Sequence, residues 1–344
     1  MVKILVTGCG GSIGIEIQRS LRRSGGDFYI IGSDITWYGL EYGKHFCDEV
    51  VELPKADDEA YPDAIRDLIS SRKVVVVFVN TDGELKVAPK VLKGADVATA
   101  HPAPTITEIC LDKFATYGHI GPEGNLFPKT VSIDSDVDLV RAFDTLGKPL
   151  WLRPRIGAGG RGAIAIRSVE KARVWIDLWR EMGVTLKQWM AQELLPGRNF
   201  NWTGLFFDGK LYASAVMERM AYFLGNVTLN GITGQTGQGR TVNSPEVDLV
   251  SLEAIKRLDR KITGVLSVDL REDKDGKPRI NEINPRFGGR PWLFTEAGLN
   301  LPAIFVQLCL RPEERESYVS PGVKSDIWLA RQLDIEPVIQ ERKS

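Results

Sequence analysis

Asp269, Glu282 and Asn284 are the side chains of this chain whose types and spacing best combine into chemistry. They lie on two apolar-rich runs, residues 265–271 and 279–284, joined through Asp275-Gly276, a dipeptide that signals a hairpin. With a two-residue turn there, Asp269 falls directly opposite Glu282. Side chains alternate along a strand, so Glu282 shares a face with Asn284, while Val268 and Ile283 turn the other way into a core. Two carboxylates opposed on a ladder repel. A hard divalent cation removes the conflict, because Mg²⁺ takes carboxylate and amide oxygens together with substrate phosphates. Arg286, just beyond in Asn284-Pro-Arg286, can add a charge-assisted contact to the same anion. A surface hairpin with solvated acids, its register slipped by one, is the plainer alternative.

A second constellation is built on glycine. Trp151-Leu-Arg153-Pro-Arg155-Ile-Gly157-Ala-Gly159-Gly160-Arg161-Gly162 followed by Ala-Ile-Ala-Ile reads as strand, loop and return strand. Glycines let a backbone approach a polyphosphate closely and aim N–H groups at it. Arg153 precedes a proline, which favours an extended backbone, and it is placed to reach a phosphate or a base. A third segment, between Glu218 and Ser244, interleaves polar side chains with glycines, as a loop closing over a reacting group would. Within it Arg219 and Arg240 are candidates for a bidentate grip on a carboxylate or phosphate. Gly288-Gly289-Arg290 can bring further N–H groups to the same anion.

Near the start, Thr7-Gly8-x-x-Gly11-x-x-Gly14 opens a helix, and Asp34 ends the next strand where a ribose-binding acid would lie. Taken alone these residues fit a nicotinamide-dependent reductase or epimerase. Enzymes of that extended short-chain type need Tyr-x-x-x-Lys, and no tyrosine here has lysine four residues on. A tight strand-to-helix turn packed closely accounts for the glycines equally well.

The elements that must carry these residues begin as alternating strands and helices: strand 3–7, helix 13–24, strand 28–33, helix 60–71, strand 74–80. This is a doubly wound α/β pattern ending near His101-Pro-Ala-Pro. A helical stretch follows at 105–117. From Pro149 onward strand pairs dominate, with helices near 168–182, 246–262 and 300–309. The last stretch carries a single apolar patch, Ile327-Trp-Leu-Ala. The net charge of −1 argues against a broad attraction to nucleic acid. No apolar run approaches the roughly 20 residues that span a bilayer. The strand at Met1-Val-Lys-Ile-Leu-Val leaves no room for a signal peptide. Cys9, Cys47, Cys110 and Cys309 are scattered singly, which suits packing in a reducing cytoplasm. His45, His101 and His119 form no cluster, so a histidine metal site or a Ser-His-Asp triad is not expected.

The combination Asp112-Lys113, Arg153-Pro-x-x-Gly-x-Gly-Gly-x-Gly, Gln192-Glu193-Leu194-Leu195-Pro-Gly197, Val268-Asp269 and Asn281-Glu282-Ile-Asn284-Pro-Arg286 resembles the ATP-grasp superfamily. It is most similar to the single ATP-grasp unit of the carbamoyl-phosphate synthase large chain. The resemblance implies an α/β chain, a Rossmann-like pre-ATP-grasp domain followed by a two-lobed α+β ATP-grasp fold. Residues 1–105 would be the first domain, 106–190 the small lobe with the glycine loop, 191–315 the large lobe with the metal site, and 316–344 a tail. It further implies ATP and Mg²⁺, with Mn²⁺ as the alternative ion. Lys113 and Arg153 would hold ATP phosphates under the loop of Gly159, Gly160, Arg161 and Gly162. Adenine would rest on Gln192 to Leu195, Glu193 taking the exocyclic amine. Asp269, Glu282 and Asn284 would hold metal, and Arg286 would steady the γ-phosphate. Where the family has a glutamate for the ribose hydroxyls this chain has Asn199, which can accept a hydrogen bond without charge.

The implied chemistry is ATP-dependent ligation, a carboxylate activated as an acyl phosphate and then attacked by an amine, with small-molecule substrates and neither nucleic acid nor membrane as partner. Glu282→Ala is expected to abolish ATP turnover. Carbamate or bicarbonate phosphorylation, a nucleotide-binding module and the dinucleotide oxidoreductase are the other readings. A homodimer is common in such folds, though no residue indicates one.

Overall fold

Val2–Thr7 (β1), Phe28–Asp34 (β2), Glu49–Glu52 (β3), Val76–Phe78 (β4) and Ala98–Thr99 (β5) are apolar at their centres because helices cover both faces, as parallel strands require. In the computed structural model, which describes residues 1–288 and 290–331, they form one parallel sheet in the order β3-β2-β1-β4-β5. The turn after β1 leads into helix α1, Ser12–Arg23. The doubly wound expectation is met. β3, bounded by glutamates, and β5, two residues long, carry too little pattern to be read in advance.

A four-stranded antiparallel sheet follows: Thr130–Ile133 (β6), Leu150–Pro154 (β7), Ile164–Ile166 (β8) and Trp189–Glu193 (β9), in the order β6-β9-β7-β8. Helices Asp136–Leu146 and Val169–Glu181 bury Leu139, Phe143 and Ile176 against it. The largest sheet comprises Asn199–Phe207 (β10), Lys210–Tyr222 (β11), Thr236–Val242 (β12), Gly264–Glu272 (β13), Pro278–Asn284 (β14) and Trp328–Ala330 (β15). It is antiparallel throughout, in the order β14-β13-β10-β11-β12-β15. The apolar patch near the end of the chain is thus an edge strand on β12, and residues 332–344 lie outside the described residues.

Alternation gives this sheet two different faces. One buries Phe200, Trp202, Val216, Val268 and Ile283 beneath helix Pro245–Leu258. The other is divided along its length. Its lower half, with Leu205, Phe207, Met217 and Val265, packs on Ile4, Val6 and Phe78 of the parallel sheet. Phe78 meets Phe287 and Phe305 at ring-centroid distances of 5.8 and 5.6 Å. The upper half carries Asn199, Asn201, Arg219, Asp269, Glu282 and Asn284. Among the described residues no helix is long and apolar enough to cross a membrane.

Candidate active site

The register of the metal-strand hairpin sets the geometry. Asp269 pairs with Glu282, Val268 with Ile283 and Ser267 with Asn284, as alternation predicts. The turn itself differs from expectation. Nearer the tip, Leu270 pairs with Ile280 and Arg271 with Arg279, which leaves a five-residue connection, 273–277. There the Asp273 carboxylate accepts the N–H groups of Asp275 and Lys277, each at 2.9 Å. A bulge at Asn281 restores the register, so the longer turn and the bulge cancel at the two acids.

Each acid is met by cations from other elements. Glu282 accepts from the Arg153 guanidinium at 2.8 Å and lies 3.4 Å from the Lys113 ammonium. The Asn284 amide donates to its other oxygen at 3.5 Å. Burial works to raise the Glu282 carboxyl, but Lys113 and Arg153 outweigh it and hold it down to about 2. Asp269 accepts from Arg219 at 3.2 Å and Asn201 at 3.1 Å. Burial pushes its carboxyl up; Arg219 opposes the rise and Glu282 adds to it.

The Glu282 shift has a measurable sign. Its folded-state value lies below the ordinary 4.5, so ionised Glu282 favours the fold above that pH and the contribution is lost as pH falls towards 2. Thermal melting of the wild type is expected to decline more steeply across this window than that of Glu282→Gln. Equal slopes would show that the ion cluster does not stabilise the fold.

Lys113 owes its position to a helix break. The helical stretch expected at 105–117 is two helices, Pro104–Leu111 and Lys113–Ile120. Asp112 between them is extended and accepts the N–H groups of Phe114 and Ala115 at 2.9 and 3.1 Å, an N-cap. Arg155 grips the same carboxylate at 2.7 and 3.2 Å and lies over the Phe114 ring. The Lys113 ammonium donates to the Gly157 carbonyl at 2.7 Å, tying it to the glycine loop. Arg286 is held by Asp82, at 2.8 and 3.1 Å, from the turn after β4. Residue reasoning missed Asp82, Arg155 and the capping role of Asp112. Of these only Asp112 carried a local signal, an aspartate inside a helical run.

The glycine loop between β7 and β8 has Gly157, Gly159, Gly160 and Gly162 at positive φ, from 68° to 124°. It is clasped by the segment expected to choose the substrate. The Asn230 amide donates to the carbonyls of Gly160 and Ala163 at 2.8 and 2.7 Å. A Cβ on Gly160 would meet Ile232 Cγ2 at 2.6 Å, and one on Gly234 would meet the Gly159 backbone at 2.7 Å. These walls enclose a cleft of about 390 Å³. Into it face Lys113, Arg153, Gly159, Gly160, Arg161, the segment Gln192 to Leu195, Asn199, Arg219, Asp269, Glu282, Asn284 and Arg286.

Some expected residues stand apart. Gly162 lies at the loop base against Pro154 and Trp179, its carbonyl taking the Trp175 indole N–H at 2.8 Å. Arg240 does not reach the cleft. It pairs across the strands with Glu218, the neighbour of Arg219, and alternation puts it on the opposite face. Its guanidinium binds Glu218 at 2.9 and 3.0 Å and Asp326 at 2.8 Å, beside Trp328. Arg240→Ala is therefore expected to lower Tm modestly and leave turnover within about twofold; a loss of activity in a folded variant would overturn that placement. Arg219 lines the cleft, but its donors also serve Asn199, Tyr222 and Thr236 at 2.9–3.1 Å. Asn199 in turn donates to the Tyr222 hydroxyl at 3.0 Å. Gly289 lies outside the described residues. Arg290, beside it, is buried and pairs with Glu16 of α1.

The donor set suits a hard cation. Among the described residues no three His, Cys, Asp or Glu side chains converge on one point. A metal would rest on two carboxylates and the Asn284 amide, leaving positions for phosphate oxygens, the ligand balance Mg²⁺ favours.

Residues 110–290, more than half the chain, match the ATP-grasp domain family. The chain belongs to the ATP-grasp family. A glutamate–LysW ligase from Sulfolobus acidocaldarius is 27% identical over 206 residues, covering 59% of this chain and 70% of the relative. The ATP-grasp fold extends to solved structures. The biotin carboxylase domain of Hydrogenobacter thermophilus 2-oxoglutarate carboxylase superposes with a TM-score of 0.73 at 14% identity, over 95% of this chain and 73% of that one. An L-amino acid ligase from Bacillus licheniformis gives 0.68 at 17% identity, over 93% and 78%. The expectation of an ATP-grasp ligase is borne out by the family and its curated relative.

Proposed function

We propose that the protein activates a small-molecule carboxylate with ATP and joins it to an amine, with ATP and Mg²⁺ bound in the cleft. The observation that carries this reading is the meeting of Lys113 and Arg153 with Glu282 beneath the glycine loop. The relatives point the same way, one being named for ligating glutamate and another for ligating amino acids. In this reading residues 1–105 are the pre-ATP-grasp unit and 106–190 and 191–315 the two lobes.

A carboxylate oxygen of the substrate attacks the γ-phosphorus, and the bond to the β-phosphate oxygen breaks, releasing ADP and leaving an acyl phosphate. The amine nitrogen then attacks the acyl carbon. The C–O bond to phosphate breaks, phosphate leaves with the electron pair, and the nitrogen loses a proton to give the amide. Lys113, Arg153 and Arg286 place fixed positive charge around the transferring oxygens. The clasped glycine loop keeps water from the acyl phosphate. Asp269, Glu282 and Asn284 hold the ion that neutralises phosphate charge when bound.

The test is phosphate release from Mg-ATP across amino acids, small carboxylates and bicarbonate, with hydroxylamine present to trap acyl phosphate. A hydroxamate formed from one carboxylate is the expected result. Release with bicarbonate alone would replace this reading with carbamate chemistry, and absence of ATP binding would end it.

A further inference from the structure

Gln235 is a polar side chain of the clasping segment that the chemistry above leaves unused. Its backbone is fixed through Phe223, whose N–H donates to the Gln235 carbonyl at 2.7 Å and whose carbonyl accepts from the Thr233 hydroxyl at 2.6 Å. Its neighbours in sequence set its place in the cleft. On one side Gly234 lies against the glycine loop, where a Cβ would meet the Gly159 backbone at 2.7 Å. On the other the Thr236 hydroxyl accepts from Arg219, the partner of Asp269, at 2.9 Å. In the ligase reading this is the phosphate end.

What the side-chain amide meets decides how it is turned. Two guanidiniums converge on its oxygen, Arg290 at 2.8 Å and Arg331 at 3.3 Å. A guanidinium can only donate, so the atom that faces both must be the oxygen. Arg290 is itself held in place: it is 4% exposed, pairs with Glu16 of α1 and donates to the Thr236 carbonyl at 3.2 Å. Arg331 lies over the Phe223 ring, 5.1 Å from its centroid. The amide nitrogen is left over. Among the described residues nothing accepts from Gln235 Nε2, and it is not one of the side-chain atoms sealed from solvent. Gln235 lines both the ATP cleft and a neighbouring cavity of about 800 Å³ beside the turn after β1.

This donor differs from the cations around it. Lys113, Arg153, Arg219 and Arg286 each have a carboxylate partner. Gln235 Nε2 has no acceptor to give up, and the guanidiniums on its oxygen draw density from the amide, which strengthens its N–H groups as donors. A fixed, uncompensated donor of this kind suits an oxygen on which charge appears only during reaction.

We propose that Gln235 is a catalytic residue of the amine-transfer step, its Nε2–H donating to the acyl oxygen. As the amine nitrogen bonds to the acyl carbon, the carbonyl π pair moves onto that oxygen, and Gln235 stabilises the oxyanion. On collapse the pair re-forms the carbonyl, phosphate departs with the electrons of the broken C–O bond, and the nitrogen's proton passes to water. Arg290 and Arg331 are positioning residues that act through Gln235. The inference rests on the ligase reading above and adds a residue to its second step.

The test is rapid-quench kinetics of the full chain with Mg-ATP, the carboxylate that forms hydroxamate in the panel above, and hydroxylamine as the nucleophile. Gln235→Met removes the donor and the acceptor without adding charge. Gln235→Glu keeps an oxygen for Arg290 and Arg331 and removes only the donor. In both variants the initial burst of ADP should stay within about threefold of wild type, while hydroxamate at low hydroxylamine forms about 10²-fold more slowly. Acyl phosphate should then accumulate, counted by quenching into denaturant with concentrated hydroxylamine. A wild-type rate of hydroxamate formation in Gln235→Glu would make the side chain a mere anchor for the guanidiniums and overturn the inference. Equal slowing of the ADP burst and of hydroxamate in Gln235→Met would do the same. The two readings fail differently: no ADP burst in the wild type with any carboxylate sinks the ligase reading, whereas a wild-type burst with unaltered variants sinks this inference alone.

Discussion

Glu282→Gln is expected to lower ATP-dependent phosphate release by about 10²–10³-fold while the protein remains folded. The choice of glutamine over alanine comes from the ion cluster. Glu282 is the counter-charge of both Lys113 and Arg153. Alanine would leave those two cations facing each other in a largely buried site, which costs about 3–5 kcal/mol when one partner of a buried pair is removed. Glutamine keeps an oxygen for Arg153 and removes only the charge. Loss of turnover with near-normal circular dichroism would support a metal and phosphate role; near-normal turnover would remove Glu282 from the chemistry.

The second large effect is expected at Asn230. Its amide supplies two hydrogen bonds that clasp the glycine loop, to Gly160 and Ala163. At about 1 kcal/mol each, their loss in Asn230→Ala shifts the closed-to-open ratio by roughly 30-fold. The consequence is uncoupling. Phosphate should still be released, but more of the acyl phosphate should be lost to water, so phosphate formed per amide rises severalfold. Hydrogen exchange over residues 156–163 should rise in parallel. An unchanged phosphate-to-amide ratio would mean that the clasp is structural only.

How far the sequence carried depended on whether a residue's position is set locally. Alternation along two strands was enough to oppose Asp269 and Glu282, even though the turn between them was misread. The same rule could not separate Arg219 from Arg240. Their relation depends on the register of β11 against β12, which is irregular beyond Arg219 and leaves no trace in composition. Lys113 was reached through the family resemblance rather than through its own neighbourhood, although the capping aspartate before it could have suggested the break. Asp82 could not be read at all. It meets Arg286 from 204 residues away, and nothing near either residue announces the other. The doubly wound beginning was legible because buried parallel strands are apolar throughout; the two-residue β5 was not.

The pairing of Lys113 and Arg153 with Glu282, Arg219 with Asp269 and Arg286 with Asp82 makes the cleft its own salt. A polyphosphate arriving alone gains three or four cations only by stripping them from carboxylates that then repel it. A divalent ion arriving alone gains two carboxylates that must first give up their cations. Arriving together, each resolves the charge that the other releases. Binding of nucleotide and ion should therefore be strongly and reciprocally cooperative, with weak affinity for either one by itself. In the proposed reaction the internal pairs would re-form once the phosphates are cleaved and the ion leaves, and would help to expel the product.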